Sequence, residues 1–211
     1  MNAFTHIIKD PASFQGYERI FLDDGLYNHY LHRDSLHINT TLSIVTSFVR
    51  PEGVKPRESE NYFEEAMYGD YSAFMSWKEI EEMSNRCVIA AHSHWHDFIL
   101  TTRGGSYMTP WKKDYLKVTN EMAKFFPRVG GMLANKGLLI KEGKVYKRSQ
   151  KEWEDYIAID TESMMTAFLD NLGFVPRSYV MPFNHMNDHT TEILKTYGFG
   201  RIYGKERFEL P

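Results

Sequence analysis

The sequence predicts an α/β fold built on a parallel sheet. Short runs rich in β-branched and apolar residues alternate along the chain with segments whose apolar residues recur at helical spacing. Polar clusters directly follow three of the strand-like runs, at 23–25, 92–97 and 182–187. Because the carboxyl ends of parallel strands lie on one side of a sheet or barrel, we expect these three clusters to meet at one site.

The first half of the chain contains three predicted strands, at 17–22, 40–49 and 87–91. Residues 26–36 are interpreted as a loop or short helix, and 50–59, with two prolines and a glycine, as a loop. Ser76 and Glu79 have the spacing of a capping box, and apolar residues then recur at helical spacing. This pattern predicts a helix that leads into the third strand.

The second half predicts an inserted segment, one long helix, a short strand, a last helix and a final strand. The insertion at about 101–150 contains a predicted helix at 113–126 and a hairpin with arms 138–141 and 144–147. Residues 151–172 form an amphipathic pattern closed by Gly173. Its inward-facing residues are predicted to be Trp153, Ile157, Met164, Met165, Phe168 and Leu172. A strand at 178–181, a helix capped by Asp188 and a strand at 199–203 follow.

Composition limits the possible functions. The length of 211 residues suits a single domain, 1–211, and the formal net charge of -3 argues against a general nucleic-acid binder. Cys87 is the single cysteine, so the chain has no internal disulfide. No signal peptide or membrane-spanning run is evident. We therefore expect a cytoplasmic enzyme or binding protein without a membrane or nucleic-acid partner; the oligomeric state is not indicated.

The histidine cluster is the strongest indication of chemistry. His92, His94 and His96 follow the predicted strand at 87–91, and two imidazoles with one carboxylate and an open position form a hydrolytic metal site. His92 and His96 would face the same way on a helical turn, and Asp23 or Asp24 can supply the carboxylate. These ligands suit Zn²⁺, with Co²⁺, Ni²⁺ or Mn²⁺ as alternatives, and the second aspartate can act as general base.

Each cluster also has a simpler interpretation when it is taken alone. A histidine-rich stretch occurs in surface loops, and Asp-Asp-Gly is typical of an ordinary turn. The presence of both clusters at predicted strand ends favours the metal site over these alternatives.

The two clusters resemble motifs of the NodB-type polysaccharide deacetylases, the fourth carbohydrate-esterase family. Phe21-Leu22-Asp23-Asp24-Gly25 is similar to the family's first motif, a strand end of the type Thr-Phe-Asp-Asp-Gly. His92-Ser93-His94-Trp95-His96 is similar to the second, His-Ser/Thr-x-x-His. The resemblance covers about residues 17–100 and 150–203, and it implies a distorted, incomplete (β/α) barrel.

The resemblance also implies a function and a set of roles. Asp23 would be the catalytic base that activates a metal-bound water, and Asp24, His92 and His96 would bind the metal. Ser93 would steady residues 92–97, the histidine loop, through a hydrogen bond. The implied activity is metal-dependent hydrolysis of N-acetyl groups on an amino sugar or on an N-acetylated oligosaccharide or polysaccharide.

The sequence departs from the family at its third motif, Arg-x-Pro-Tyr-Gly followed by Asn. Pro182, Phe183 and Asn187 fit this pattern, but Val180 replaces the arginine that orients the catalytic aspartate in the family, and Asn184 replaces the glycine. The later motifs, which carry an aspartate and the general-acid histidine, do not follow the last predicted strand. The barrel is therefore expected to be incomplete compared with the family.

Several residues are candidates for the remaining roles. His185 is the first candidate for the general acid, ahead of His94 and His29; the alternative is a capping or surface histidine. The predicted substrate-binding residues are Trp95, Pro182, Phe183 and Asn187, with Tyr107 and Trp111 as further rings that could stack on a sugar. Basic residues could bind an anionic substrate or form a solvated face: Lys136, Lys141, Lys144, Lys147, Arg148 and Lys151.

Two other functions stay open at this point. The site could hydrolyse another small amide, because the same face of a barrel can accept a different acyl group. The missing arginine and general acid also allow a catalytically weak protein that binds a metal or a sugar.

Overall fold

The computed structural model describes residues 5–9, 18–36, 39–101, 107–110, 128–134, 136, 138–141, 144–204 and 206–207. The strands are β1 (Thr5–Lys9), β2 (Glu18–Leu22), β3 (Thr40–Ile44), β4 (Val88–Ala91), β5 (Phe98–Thr101), β6 (Tyr107–Pro110), β7 (Arg128–Gly131), β8 (Leu138–Lys141), β9 (Lys144–Lys147), β10 (Ser178–Val180), β11 (His185–Met186), β12 (Arg201–Tyr203) and β13 (Glu206–Arg207). The helices are α1 (Tyr27–Leu31), α2 (Tyr62–Met67), α3 (Trp77–Ser84), α4 (Gln150–Leu172) and α5 (Asp188–Thr196).

The main sheet has six strands in the order β1-β2-β3-β4-β10-β12. β1 is antiparallel to β2, and the other neighbours are parallel. The parallel strands follow chain order across the sheet, without the reversal that a doubly wound sheet has. This is the winding of a (β/α) barrel that is left incomplete after five parallel strands. The predicted α/β class and incomplete barrel are confirmed.

The outer face of the sheet carries the helices and most of the core. Alternate side chains of β3, Leu42 and Ile44, pack with residues of α3, α4 and α5 in one continuous apolar cluster. The predicted inward stripe of α4 is buried there through Trp153, Ile157, Met164 and Phe168, while Met165 and Leu172 are partly buried against it. Helices on one face of a singly wound sheet leave the other face as the interior of the half-barrel.

Among the described residues, the inner face carries a small apolar cluster formed by Phe21, Ala90 and Val180, with the partly buried Tyr203 packed against it. Side chains alternate between the two faces along a strand, so residues two positions further on return to the same face. Asp23 follows Phe21 by two positions, and His92 follows Ala90 by two. The predicted site residues therefore extend the inner face beyond the strand ends.

Local sequence signals account for the ends of α3 and α4. Ser76 begins α3 with the predicted capping box, which includes the hydrogen bond from Ser76 N–H to Glu79 Oε2 at 2.7 Å. Ser149 and Glu152 form a second capping box at the start of α4, which begins one residue earlier than predicted. Gly173 ends α4 with a φ of 74°, a left-handed conformation that glycine adopts without steric cost.

The prediction of the second strand, at 40–49, is wrong at its carboxyl end. β3 stops at Ile44, and Thr46–Phe48 forms a 3₁₀ turn. The N–H groups of Thr46 and Ser47 donate to the carbonyls of Ser93 and His94 at 3.3 and 3.0 Å. The chain leaves the sheet here because its hydrogen bonds go to the histidine loop, although its residues favour a strand.

Other elements differ in detail from the sequence analysis. Asn187, not Asp188, caps α5, because its side-chain oxygen reaches the N–H groups of His189 and Thr190. The short helix α2 and the strands β1, β5, β6 and β7 were not predicted. A short helix or a strand of four or five residues gives too few residues for a periodic pattern to be visible.

The predicted insertion is described only in part. Its strands β6 to β9 join β5, which begins before it, in a second sheet of the order β7-β5-β6-β8-β9. This sheet includes the predicted antiparallel hairpin of β8 and β9. The predicted helix at 113–126 lies outside the described residues. Residues 131–134 are buried, and Leu133 and Ala134 belong to the main core. The interpretation of residues 101–150 as an insertion within one domain stays a prediction.

Arg148 does not lie on a solvated basic face. It is buried, and its Nε donates to the carbonyl of Lys136 at 2.7 Å. Burial lowers the pKa of its guanidinium to about 10.

No helix of the described chain combines the length and the apolar character needed to cross a membrane. α4 is the longest of them, with 23 residues, and charged side chains occur along its whole length. The cytoplasmic location expected from the sequence stays a prediction.

We expect Gly173→Ala to lower the free energy of unfolding by about 1 kcal/mol, because an alanine at this φ of 74° is strained. Gly200→Ala is the matched control: neither glycine has an atom within 4 Å of an added Cβ, but Gly200 lies outside the left-handed region. Urea denaturation of both variants measures the difference. Equal stabilities would show that the helix end tolerates a side chain.

Candidate metal centre

The ends of β2 and β4 bring one carboxylate and two imidazoles together. Nε2 of His92 and Nε2 of His96 each lie 3.5 Å from Oδ1 of Asp24. One possible ligand atom of each residue lies within 4.8 Å of the others, and both imidazoles are buried. The three residues come from two strand ends that are separated by β3 in the sheet.

The backbone of these loops is in an uncommon conformation. The described residues contain five non-glycine positions with positive φ, and all of them lie in the three polar clusters: Asp24 (70°), Ser93 (73°), His96 (52°), Phe183 (58°) and Asn184 (61°). A left-handed residue of this kind costs about 1–2 kcal/mol. Such strain persists only where the surrounding contacts hold it, and it is concentrated at functional sites.

The left-handed positions explain how each cluster is shaped. His92 and His96 do not lie on a helical turn, as the sequence analysis expected, because the segment between them is irregular and Ser93 is left-handed. Asn184, where the resembled family has glycine, has a φ of 61°. Asparagine adopts this conformation more readily than most residues, so it suits this position without a glycine.

Two hydrogen bonds orient the possible ligands. His92 Nδ1 donates to the carbonyl oxygen of Val180 at 2.8 Å, which leaves Nε2 on the side of Asp24 as the nitrogen that could bind a metal. The hydroxyl of Tyr62 donates to Oδ2 of Asp24 at 3.2 Å. Burial, followed by the nearby Asp24 charge, raises the pKa of Tyr62, which keeps this hydroxyl protonated and able to donate.

The three residues fit a divalent metal ion. Oδ1 of Asp24 is buried and accepts no hydrogen bond within the described part of the chain. Metal–ligand bonds of about 2.1 Å at tetrahedral angles separate two ligand atoms by about 3.4 Å. The two distances of 3.5 Å from Asp24 Oδ1 agree with this spacing. Nitrogen and oxygen ligands suit Zn²⁺, Co²⁺, Ni²⁺ or Mn²⁺.

Aromatic rings cover one side of the group. The ring of His96 lies 4.7 Å from that of Phe183, 5.6 Å from that of Phe63 and 6.3 Å from that of Phe48, measured between centroids. Apolar rings around one ligand limit access of water and strengthen electrostatic interactions inside the site.

A buried carboxyl group on α4 holds the histidine loop. Asp160 is 0% exposed and accepts hydrogen bonds from the backbone N–H groups of His94 and Trp95, both at 3.0 Å to Oδ2. The hydroxyl of Ser93 donates to the same carboxyl group at 3.3 Å and accepts from the N–H of His96 at 2.8 Å. Burial raises the pKa of Asp160 to about 7, against the lowering effect of these donors.

Asp23 immediately precedes Asp24 in the chain, and its side chain contacts Ser43 on the inner face. Its Oδ1 accepts a hydrogen bond from Ser43 Oγ at 2.6 Å. Val180, at the position of the family's arginine, packs in the inner apolar cluster and offers no side-chain donor.

The three histidines considered as proton donors have different surroundings. His185 is buried, and its Nδ1 accepts a hydrogen bond from the N–H of Gly131 at 3.2 Å. In the neutral imidazole this bond leaves the proton on Nε2. His94 Nδ1 shares a hydrogen bond of 2.7 Å with Thr46 Oγ1. His29 is buried, and that burial lowers its pKa to about 4, so it is neutral near pH 7.

The predicted substrate-binding residues have varied positions. Phe183 borders His96, and the buried Pro182 precedes it in the same turn. The half-buried ring of Trp95 packs against Tyr156, at 5.8 Å between centroids. The side chain of Asn187 caps α5. Their roles in binding stay predictions; Trp111 and the side chain of Tyr107 lie outside the described residues.

Three residues that hold the site were not predicted from the sequence: Ser43, Tyr62 and Asp160. Asp160 is a charged residue on the buried stripe of α4, three positions after Ile157, and that was a usable signal. Ser43 lies on the polar side of an alternating strand. Tyr62 belongs to a short helix with no periodic pattern, so nothing in the sequence indicated its contact with Asp24.

Comparison with solved structures identifies the fold. The chain is similar to the deacetylase domain of BpsB from Bordetella bronchiseptica, with a TM-score of 0.59 and 18% identity, covering 88% of this chain and 62% of that one. A de-N-acetylase from Aggregatibacter actinomycetemcomitans gives a TM-score of 0.57 and 16% identity, covering 87% and 61%. IcaB from Ammonifex degensii gives 0.51 and 18%, covering 92% and 62%.

These similarities show that the chain has the NodB-type polysaccharide deacetylase fold that its motifs predicted. No protein-family model matches the sequence, and no curated protein is similar to it in sequence. The chain spans about three fifths of the length of the solved structures it matches.

The titration of Asp160 predicts a pH-dependent effect on stability. The folded protein keeps a proton on this carboxyl up to about pH 7, whereas the ordinary value is 3.8. Between these values the folded state binds more protons, so stability falls as the pH rises, by up to ~1.4 kcal/mol per pH unit. His29 has the opposite effect: its pKa is lowered from 6.5 to about 4, so between these values its contribution to stability rises with pH.

Comparing wild type with Asp160→Asn separates the two groups, since the variant retains His29. We expect the difference in the free energy of unfolding, wild type minus variant, to decrease as the pH rises through this window. Urea denaturation at several pH values measures it. A difference that does not vary with pH contradicts the prediction.

Proposed function

We propose that this chain is a metal-dependent hydrolase that removes N-acetyl groups from an amino sugar or from an N-acetylated oligosaccharide or polysaccharide. The observation that carries the proposal is the group of Asp24, His92 and His96 beside the carboxylate of Asp23, at strand ends of a NodB-type fold. Two of the similar structures are named as a deacetylase domain and a de-N-acetylase. Both names agree with an amide hydrolase.

Asp24, His92 and His96 are proposed to hold the metal ion. Bound there, a divalent ion would polarise the amide carbonyl and lower the pKa of water toward ~7. The hydrogen bonds from Tyr62 to Asp24 and from His92 to Val180 support these side chains as ligands, because each restrains one of them in a fixed orientation.

Asp23 is proposed as the general base. Its carboxylate takes a proton from the attacking water while the oxygen of that water adds to the amide carbon. Ser43 bonds one of its oxygens, and the other remains available for the proton. Cleavage of the C–N bond then releases acetate and a free amine.

His185 is proposed to donate the proton that the leaving amine needs. The bond from Gly131 N–H to its Nδ1 supports this role, because it directs the proton to Nε2. Its ring is near that of Phe183, which in turn borders His96.

Sugar binding is proposed for the rings and turns at the rim of the site. Phe183 and Trp95 are half-buried and offer ring faces on which a sugar can stack. Pro182 fixes the turn that carries Phe183, and Asn187 anchors the end of that loop on α5.

We expect Asp24→Ala and His92→Ala to weaken Zn²⁺ binding by at least about 100-fold and to abolish acetate release, because each removes one of three ligands. Asp170→Ala, an exposed position on α4, is the control and should leave both unchanged. Calorimetric titration with Zn²⁺ or Co²⁺ and acetate release from N-acetylglucosamine oligomers measure the effects.

Chelation should abolish activity in the wild type, and Zn²⁺ or Co²⁺ should restore it. Full activity in the chelated protein or in His92→Ala would overturn the proposal. Tight metal binding without acetate release from any amide tested would instead favour the alternative, a metal- or sugar-binding protein. Release of a different acyl group would identify the other alternative, hydrolysis of another small amide.

We expect His185→Gln to lower kcat for acetate release by about 10²–10⁴-fold, the usual contribution of a proton donor, with unchanged Zn²⁺ affinity. His189→Gln, at an exposed histidine on α5 that pairs with Glu154, is the matched control. Steady-state kinetics and calorimetry measure the two quantities. A kcat within about two-fold of wild type would remove His185 from the mechanism.

A further inference from the structure

The pairing of β2 with β3 brings Ser43 next to Asp23. The parallel register joins Phe21 to Thr41 and Leu22 to Leu42, so the next positions along the two strands are Asp23 and Ser43. Because the register continues in step, both residues face the same side of the sheet. Ser43 is also paired with Ala90 of the inner apolar cluster, which identifies that side as the inner face.

The contact between the two side chains is short, and its serine end is buried. Ser43 Oγ donates to Oδ1 of Asp23 at 2.6 Å, and Ser43 is 0% exposed. A hydroxyl bonded to a carboxylate at this distance forms a strong, charge-assisted hydrogen bond. Because Ser43 is buried, loss of this bond would leave its hydroxyl without solvent contact, which favours the bonded position of Oδ1.

No other described side chain supplies this restraint. Within the described part of the chain, Ser43 Oγ is the group that hydrogen-bonds the Asp23 carboxylate. Tyr62 donates to Asp24 instead, and Val180 packs among apolar residues of the inner face. Asp23 itself is only half-buried, so a side chain without the serine bond would have room to rotate.

We infer that Ser43 is a positioning residue for Asp23. The Ser43 hydroxyl holds Oδ1 of Asp23 and so directs Oδ2 of Asp23 toward the reacting water. The inference rests on the function proposed above, with Asp23 as general base. It also accounts for two adjacent aspartates acting separately: Ser43 anchors Asp23 on the inner face, while the left-handed backbone of Asp24, at φ 70°, turns the next carboxylate toward the histidines.

The test is Ser43→Ala in the full chain, with Ser47→Ala as the matched control. Ser47 lies just beyond the same strand, and its buried hydroxyl makes no hydrogen bond within the described residues. We expect Ser43→Ala to lower kcat for acetate release by about 10- to 100-fold, because a displaced base loses its alignment. KM and the dissociation constant for Zn²⁺ should stay within about two-fold of wild type, and Ser47→Ala should match wild type throughout.

A purely structural role would produce a different result. If Ser43→Ala loses Zn²⁺ affinity in step with activity, or unfolds below the assay temperature, Ser43 supports the site or the fold and the inference is overturned. An unchanged kcat overturns it as well. Absence of acetate release from metal-loaded wild type would reject the proposed function itself, whereas an active wild type with an equally active Ser43→Ala would reject only the role of Ser43.

Discussion

The histidine loop depends on one buried carboxyl group, that of Asp160. Two backbone N–H groups and the Ser93 hydroxyl bond to it in the protein interior. Without this acceptor each buried donor would be left unpaired, at a cost of about 1–3 kcal/mol. The bonds also offset the strain of left-handed residues at Ser93 and His96. A single side chain from α4 thus maintains a loop conformation in which two imidazoles face Asp24.

The two adjacent carboxylates at the end of β2 differ in backbone conformation and in hydrogen-bond partner. Asp23 continues the strand and is bonded by Ser43, whereas Asp24 is left-handed and is bonded by Tyr62. Both partners are neutral hydroxyl groups, which donate without adding charge. The arrangement gives the two aspartates different directions within one short turn, as a base and a metal ligand would require.

Val180 and Asn184, which differ from the resembled family's third motif, each have a structural role that depends mainly on the backbone. Val180 offers its backbone carbonyl to His92, and any residue type at this position could do the same. Asn184 adopts the left-handed conformation for which glycine is best suited. The side chain of Val180 carries no charge or donor, and the described donor to Asp23 is the hydroxyl of Ser43.

Local patterns in the sequence were sufficient to predict the α/β class, the capping box of α3, the buried stripe of α4 and the meeting of clusters at the strand ends. These features depend on residues close together in the chain, or on the common direction of parallel strands. The partners of the site residues could not be predicted in this way. The contacts of Tyr62 with Asp24, of Asp160 with Trp95 and of His92 with Val180 join residues 38, 65 and 88 positions apart. They arise only when the sheet curves and the helices pack on it, and only that packing determines which donor reaches which acceptor.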